Sequence, residues 1–344
     1  MRSVTELPKA HLHLHFTGSM RHGTLVELAE RDGIRLPPAL VEDWPPKLSA
    51  DDEKGWFRFQ RLYDVARSVL RTEEDIRRLV LEAAEDDAAD GSLWTEIQVD
   101  PSGYAARFGG ITAFTDLVID AVRDASARTG LGMAVVVAAN RTRHPLDART
   151  LARLAGQYAG RGVVGFGLSN DERRGTTAEF APAFRIAERA GLRSMPHGGE
   201  LRGPAHIEQC LHHLHPDRLG HGVRSVEDPA LLDRVVEQGI TLEVCPVSNV
   251  SLGVYRTIDE VPVRDLVAAG ATVALGSDDP LLFGSRLAGQ YAILRAAQNF
   301  TDDELARLAS SSFAGSCAPD DVRAAGERAI AEWLTDADDD GMPT

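Results

Sequence analysis

Three histidines, His11, His13 and His15, alternate along the string HLHLHF at residues 11–16. Farther on, His197 closes LRSMPHG, His221 closes DRLGHG, and Asp278-Asp279 follow TVALGS. Imidazole nitrogens and carboxylate oxygens without thiolates suit Zn²⁺ or a neighbouring divalent ion. Three histidines and one aspartate around one ion leave room for a water. Zinc lowers the pKa of such a water from about 15.7 to about 7. At about 1.36 kcal/mol per unit, that is roughly 12 kcal/mol toward hydroxide at neutral pH. The chemistry implied is attack of a metal-activated hydroxide on an electrophilic carbon. Glu200 stands three residues after His197, in the glycine-softened HGGE segment. A carboxyl there could carry a proton from water to substrate; the plainer reading is a glutamate at a helix start.

Strands must hold these groups. Eight short apolar runs read as strands, at 11–16, 92–99, 131–139, 163–168, 192–198, 217–222, 241–247 and 272–277. Amphipathic patterns lie between most of them. In 228–239, Leu231, Leu232, Val235 and Val236 mark one helix face, with Asp228 as N-cap, Pro229 at the first turn and Gly239 as the stop. Near-continuous apolar strands alternating with helices mean a parallel sheet covered on both faces. Eight such units predict a TIM-type (β/α)₈ barrel with extra capping helices. An open doubly wound sheet would favour a glycine-rich phosphate turn after the first strand, and none is present.

Barrel enzymes place their chemistry at the C-terminal ends of strands. Here the first, fifth, sixth and eighth strands end in ligand-type residues. A single strand histidine is more often a packed core residue, but four such strand ends together argue for a site. The period of two predicts His11, His13 and His15 on one face of the first strand. Trp56–Arg71 (WFRFQRLYDVARSVLR) is predicted to be a helix capping the mouth, with Phe59 turned to the substrate; an outer packing helix is the alternative. Residues 283–298 and 302–334 are predicted helical. The barrel is expected over 1–334, with a flexible acidic tail over 335–344.

The formal net charge of −15 argues against a nucleic-acid surface, which would need a basic stripe. A hydrophobic content of 43% can support a large core. Cys210, Cys245 and Cys317 are too few and too scattered for a disulfide framework or zinc knuckle. No secretory signal and no run of membrane-span length are read. A soluble, cytoplasmic protein with no membrane partner is expected.

Five ordered motifs carry a resemblance. LPKAHLHLHFTGS, PHGGE, RLGHG, LEVCPVSN and ALGSDDPLLFGS resemble segments of the adenosine deaminase family of the amidohydrolase superfamily. The resemblance runs from Leu7 to Ser312. It implies one Zn²⁺ per chain on His13, His15, His197 and Asp278, with His11 a supporting or core residue. It implies that Glu200 protonates purine N1, that His221 orients the hydroxide attacking C6, and that Asp279 hydrogen-bonds N7. Ammonia then leaves. Relatives with two metals bridge them by a carboxylated lysine; no Lys follows Lys54, which favours one metal.

Two positions depart from the family pattern. Thr17 stands where adenosine deaminases carry an Asp against the ribose 5′-hydroxyl and adenine-specific relatives a Glu. Asn170 stands where a Gly backbone N–H meets purine N3; Asn tolerates the left-handed backbone that Gly often adopts there. An acid at position 17 would repel an anionic 5′ substituent by about 4 kcal/mol at 4 Å and an effective dielectric of 20. Thr17 lifts that exclusion. Arg21, and Arg58 and Arg61 on the cap helix, are candidate cations for such a group; solvated surface charges are the alternative. The HFTGSM string resembles a bacterial branch that deaminates 6-aminodeoxyfutalosine on the futalosine route to menaquinone. Adenosine, 2′-deoxyadenosine or methylthioadenosine is the next expectation, then adenine. A non-catalytic nucleoside binder would require the loss of Glu200 or a metal ligand, and none is lost; a different metal-dependent amide or ester hydrolase would fit the barrel but not the paired Glu200 and Asp279.

Overall fold

Apolar runs too short for helices become eight strands: β1 (Lys9–His15), β2 (Ser92–Val99), β3 (Gly132–Asn140), β4 (Val163–Ser169), β5 (Arg193–Gly198), β6 (Arg218–His221), β7 (Thr241–Val244) and β8 (Thr272–Leu275). The computed structural model describes residues 1–50 and 52–335, so residues 336–344 of the expected tail lie outside it. The strands pair in parallel and in chain order. The sheet curls until β1 reaches β8. There the His15 N–H donates to the Asp278 carbonyl (2.9 Å) and the Asp278 N–H to the His13 carbonyl (3.0 Å). This is the expected barrel. Central strands such as β3, GMAVVVAAN, are buried along nearly their whole length because helices cover the outside.

Local signals set the helices as read. In the helix Pro229–Glu237, Asp228 accepts from the Ala230 and Leu231 N–H groups (3.1 and 3.2 Å). The cap helix spans Glu53–Ser68, three residues earlier than expected, because the Asp52 carboxylate accepts from Gly55 N–H and starts it there. It buries Trp56 and Phe59. Arg58 and Arg61 lie on its exposed face, so neither reaches the barrel mouth.

Three expectations are corrected. The stretch 302–334 is not one helix: Asp302–Gly315 and Asp320–Thr335 are separated by an extended Ser316 and by Pro319, whose ring disfavours helix at the residue before it. Likewise 283–298 breaks at Gly284, in the left-handed region, and resumes at Leu287. Nor do the three histidines of β1 share a face. The pairing with β2 slips by one residue between His11 and Leu14, and this bulge turns His11 away. Its Nδ1 pairs with Asp87 of the helix Glu73–Ala89 (2.9 Å), and its Nε2 meets Ser277 Oγ (3.0 Å).

Candidate active site

At the C-terminal mouth of the barrel, His13 and His15 from β1, His197 from β5 and Asp278 after β8 converge. Ligand atoms of the three histidines all lie within 4.8 Å of one another. His15 Nε2 stands 3.2 Å from His197 Nε2 and 3.2 Å from Asp278 Oδ1; His13 Nε2 is 3.7 Å from the same oxygen. Asp278 and His221 reach inward from left-handed backbone (φ 61° and 64°), a conformation uncommon for residues with a Cβ. Gly18 lies against Asp279, and a Cβ on it would run into that carboxylate.

These residues fit a divalent cation. His13 Nε2 is buried with no hydrogen-bond partner, while its Nδ1 pairs with Glu243 Oε2 at 2.7 Å. Two ring nitrogens facing each other at 3.2 Å need a proton or a cation between them. A buried, thiolate-free set of three imidazoles and a carboxylate matches the donor chemistry of zinc. Cys245 is buried nearby, close enough to group with His13 and Asp278. All three cysteines are free.

Glu243 was not singled out by the sequence reading, although it lies inside the LEVCPVSN motif. Its other oxygen meets Arg218 Nε at 2.6 Å, and Arg218 Nη2 donates to Glu96 (2.6 Å). All three are buried, so one guanidinium answers two carboxylates inside the barrel. Asn249 Nδ2 approaches His221 Nδ1 at 3.4 Å. Donation there leaves the His221 proton on Nε2, which faces Glu200 Oε1 (3.6 Å) and Asp278 Oδ2 (4.0 Å).

Burial pushes the Glu200 carboxyl well above the ordinary carboxylate range, and the charges of Asp278, Glu172 and Asp279 add to it. Burial, with Asp278 adjacent, pushes Asp279 up to about 8. Burial lowers His221 to about 4, helped by His13. Burial alone would lower His15, but Asp279 and Asp278 outweigh it and raise His15 to about 9. Burial thus favours the neutral, proton-donating form of both carboxyl groups that face the pocket.

The pocket is lined by Trp56, Phe59, Gln60, Tyr63 and Arg67 of the cap helix on one side and by Asn170, Glu200, Asp278 and Asp279 on the other. Phe59 stacks with Phe283 (centroids 5.8 Å apart, 8° between planes), giving an aromatic wall. Asn170 sits at φ 80°. Its side chain accepts from Trp56 Nε1 (3.2 Å) and donates to Gln60 (2.8 Å), tying the cap helix to β4.

The chain's similarity to known proteins agrees with this geometry. The family model for adenosine deaminase matches residues 8–333. The chain belongs to the adenosine deaminase family. It is a hydrolase acting on an amidine C–N bond, an aminopurine deaminase on a TIM barrel. A Streptomyces coelicolor protein named as a candidate adenosine/adenine deaminase is 60% identical over 97% of this chain and 98% of its own. The aminodeoxyfutalosine deaminase of Streptomyces coelicolor is 35% identical over 96% of this chain and 86% of its own. Among solved structures, adenine deaminase from Arthrobacter aurescens superposes with a TM-score of 0.87 at 29% identity, covering 95% of this chain and 99% of that one. A zinc-bound amidohydrolase from Burkholderia ambifaria gives 0.85 at 26% identity, covering 96% and 92%.

Two residues expected at the substrate are elsewhere. Arg21 is outside the pocket: its guanidinium is held by Asp86 (2.8 Å) and Glu85 (3.0 Å) of the helix Glu73–Ala89, which satisfy its charge. Thr17 is fully buried, with its hydroxyl 2.5 Å from that of Tyr104, so it acts on the pocket through that ring. The cation at the pocket wall is Arg67, beside Tyr104; its Nη2 also donates to the half-exposed Asp64 (2.6 Å), so an anionic substrate group would share the guanidinium with that carboxylate. Phe59, Tyr63 and Arg67 recur every four residues on one helix stripe, a signal present in the sequence.

Proposed function

We propose that this deaminase acts on a 6-aminopurine nucleoside whose 5′ position carries an anionic aromatic group, as in 6-aminodeoxyfutalosine, giving futalosine and ammonia. One observation carries the reading: Tyr63, Tyr104 and Arg67 line the pocket, while Thr17 supplies no charge against an anion. An aromatic wall and a guanidinium suit an aryl carboxylate.

His13, His15, His197 and Asp278 would hold one Zn²⁺, as the orphaned Nε2 of His13 supports. When bound, that ion supplies the acidity that makes water a nucleophile at neutral pH. Glu200, kept protonated by burial, gives its proton to N1 and so makes C6 electrophilic. Asp279, protonated likewise, donates to N7. His221 directs its Nε2 proton into the same space and orients the water. The Asn170 backbone N–H meets N3, and Phe59 covers the ring. Water adds at C6 and its proton restores the Glu200 carboxyl; the amino nitrogen then takes up the proton of the new C6 hydroxyl, the C6–N bond breaks, and ammonia departs from the 6-oxo product.

A second reading, adenosine or adenine, has its own support. Streptomyces coelicolor carries both the 60% identical protein and the 35% identical aminodeoxyfutalosine deaminase, so there the two names fall on different chains. Loss of adenine-type absorbance, followed in parallel with 6-aminodeoxyfutalosine, adenosine, methylthioadenosine and adenine, separates the readings. A higher kcat/KM for adenosine or adenine than for 6-aminodeoxyfutalosine overturns the first.

A further inference from the structure

A second charged network lies behind the pocket and touches no substrate surface. It begins at Glu172, in the loop after β4, with 1% of its surface exposed. Glu172 Oε1 accepts from the backbone N–H of Glu200 (3.1 Å) and Oε2 from that of Arg202 (2.8 Å). His206, on the helix Pro204–Leu214, faces Oε2 with its Nδ1 at 3.5 Å. The other ring nitrogen, Nε2, lies 3.1 Å from Arg141 Nη1. A guanidinium can only donate, so His206 Nε2 accepts and the ring proton sits on Nδ1, toward Glu172. Arg141 then closes the circuit: its Nη2 donates to the backbone carbonyl of His197 at 2.6 Å. Arg141 and His206 are each 1% exposed.

Backbone pairing with β6 and the turn after it holds the segment this network grips on one side (Gly222 N–H to Gly198 O, 3.0 Å; Arg224 N–H to Gly199 O, 3.1 Å), but its glycines add no side-chain anchor of their own. Gly198 and Gly199 carry no side chain to pack, and Gly199 is left-handed at φ 84°. His197 and Glu200 flank that pair. Both ends of the loop are therefore fixed from behind: His197 by Arg141 through its carbonyl, Glu200 by Glu172 through its amide. The chain Glu172–His206–Arg141 joins the two grips, and its charges are balanced within the protein interior.

From this geometry we infer that Glu172, His206 and Arg141 are positioning residues that set the distance between the proton donor Glu200 and the metal ligand His197. The inference rests on the roles given to those two residues above. Misplacing a reacting group by about 1 Å can cost on the order of 100-fold in rate. A brace of this kind acts chiefly on kcat, because its own side chains line neither the purine pocket nor the cap helix and it reaches the substrate only through the placement of Glu200 and His197.

The test uses the zinc-loaded full-length protein and whichever of 6-aminodeoxyfutalosine, adenosine, methylthioadenosine or adenine it turns over fastest. Glu172→Gln and His206→Leu should lower kcat about 10–100-fold with KM within about threefold of wild type, and with zinc content retained. His206→Gln can still accept from Arg141 and donate to Glu172, and should restore most of the kcat lost in His206→Leu. Arg141→Met should release zinc to a chromogenic chelator at least about tenfold faster. Folded Glu172→Gln and His206→Leu proteins with kcat within about threefold of wild type overturn the inference. So does an equal loss in His206→Leu and His206→Gln. If Glu172→Gln does not fold, the two His206 variants decide alone. Glu200→Gln, run alongside, separates the two levels: full turnover there removes the acid role itself, whereas an inactive Glu200→Gln beside a normal His206→Leu removes only the brace.

Discussion

The Glu243 carboxylate meets Nδ1 of His13 at 2.7 Å, and this contact decides which nitrogen of His13 is free to bind an ion. Carboxylate partners of metal-binding histidines fix the ring and raise its basicity, and their loss typically weakens binding about 10–100-fold. Glu243→Gln is therefore expected to weaken zinc retention by that factor. Chelator competition on the purified protein measures it. Unchanged retention would mean that Arg218, and not the metal, is the reason for Glu243.

Glu200→Gln should keep the metal and bind substrate while losing about 10²–10⁴-fold in kcat. An amide cannot give N1 the proton that burial keeps on the Glu200 carboxyl. Near-normal kcat would sink the assignment.

Arg67 and Thr17 test the outer pocket together. Arg67→Met should lower kcat/KM for 6-aminodeoxyfutalosine roughly 10–100-fold, the loss of about 1–3 kcal/mol expected of a partly solvated charge pair, and spare its methyl ester. Thr17→Asp should penalise the acid over the ester by a similar factor, because it adds the like charge that Thr17 leaves out. Equal slowing of acid, ester and adenosine by Thr17→Asp would show that position 17 works only by holding Tyr104.

Away from the site, Asp75 offers a pH test of stability. It accepts from the Arg71 and Thr72 N–H groups (both 2.9 Å) and pairs with Arg31. Burial would raise its pKa, but these contacts prevail and hold it at about 2, against an ordinary 3.8. A depressed folded-state pKa stabilises above the ordinary value, and the gain fades as pH falls from 3.8 toward 2. Asp75→Asn should therefore cost roughly 1–2 kcal/mol at neutral pH and almost nothing near pH 2. Thermal midpoints of both proteins across that range give the answer; a gap independent of pH would contradict it.

Most of the barrel was legible because buried parallel strands write themselves as apolar runs between capped helices. Asp228 and Gly239 bounded their helix as read. What escaped was set by partners distant in sequence. By strand period alone His11 shared a face with His13, and only the bulge against β2 turns it toward Asp87. Arg21 looked free until Asp86, 65 residues away, was placed beside it. Glu243 and Arg218 meet only when β6 and β7 lie side by side. Arg67 was the exception: its helix stripe with Phe59 and Tyr63 was visible in the sequence and passed over for the more exposed Arg58 and Arg61.

The seam where β1 meets β8 runs through His13, His15 and Asp278 themselves. Ligands proposed for one ion thus come from the first and last strands, with nearly the whole fold threaded between them. On the ribosome, that set stays incomplete until residue 278 has emerged and the eighth strand has docked. No nascent chain or fragment ending before Asp278 could load the ion in the native way. Ion capture would then clasp the two ends of the sheet together, so that an apoprotein should breathe first along this one join.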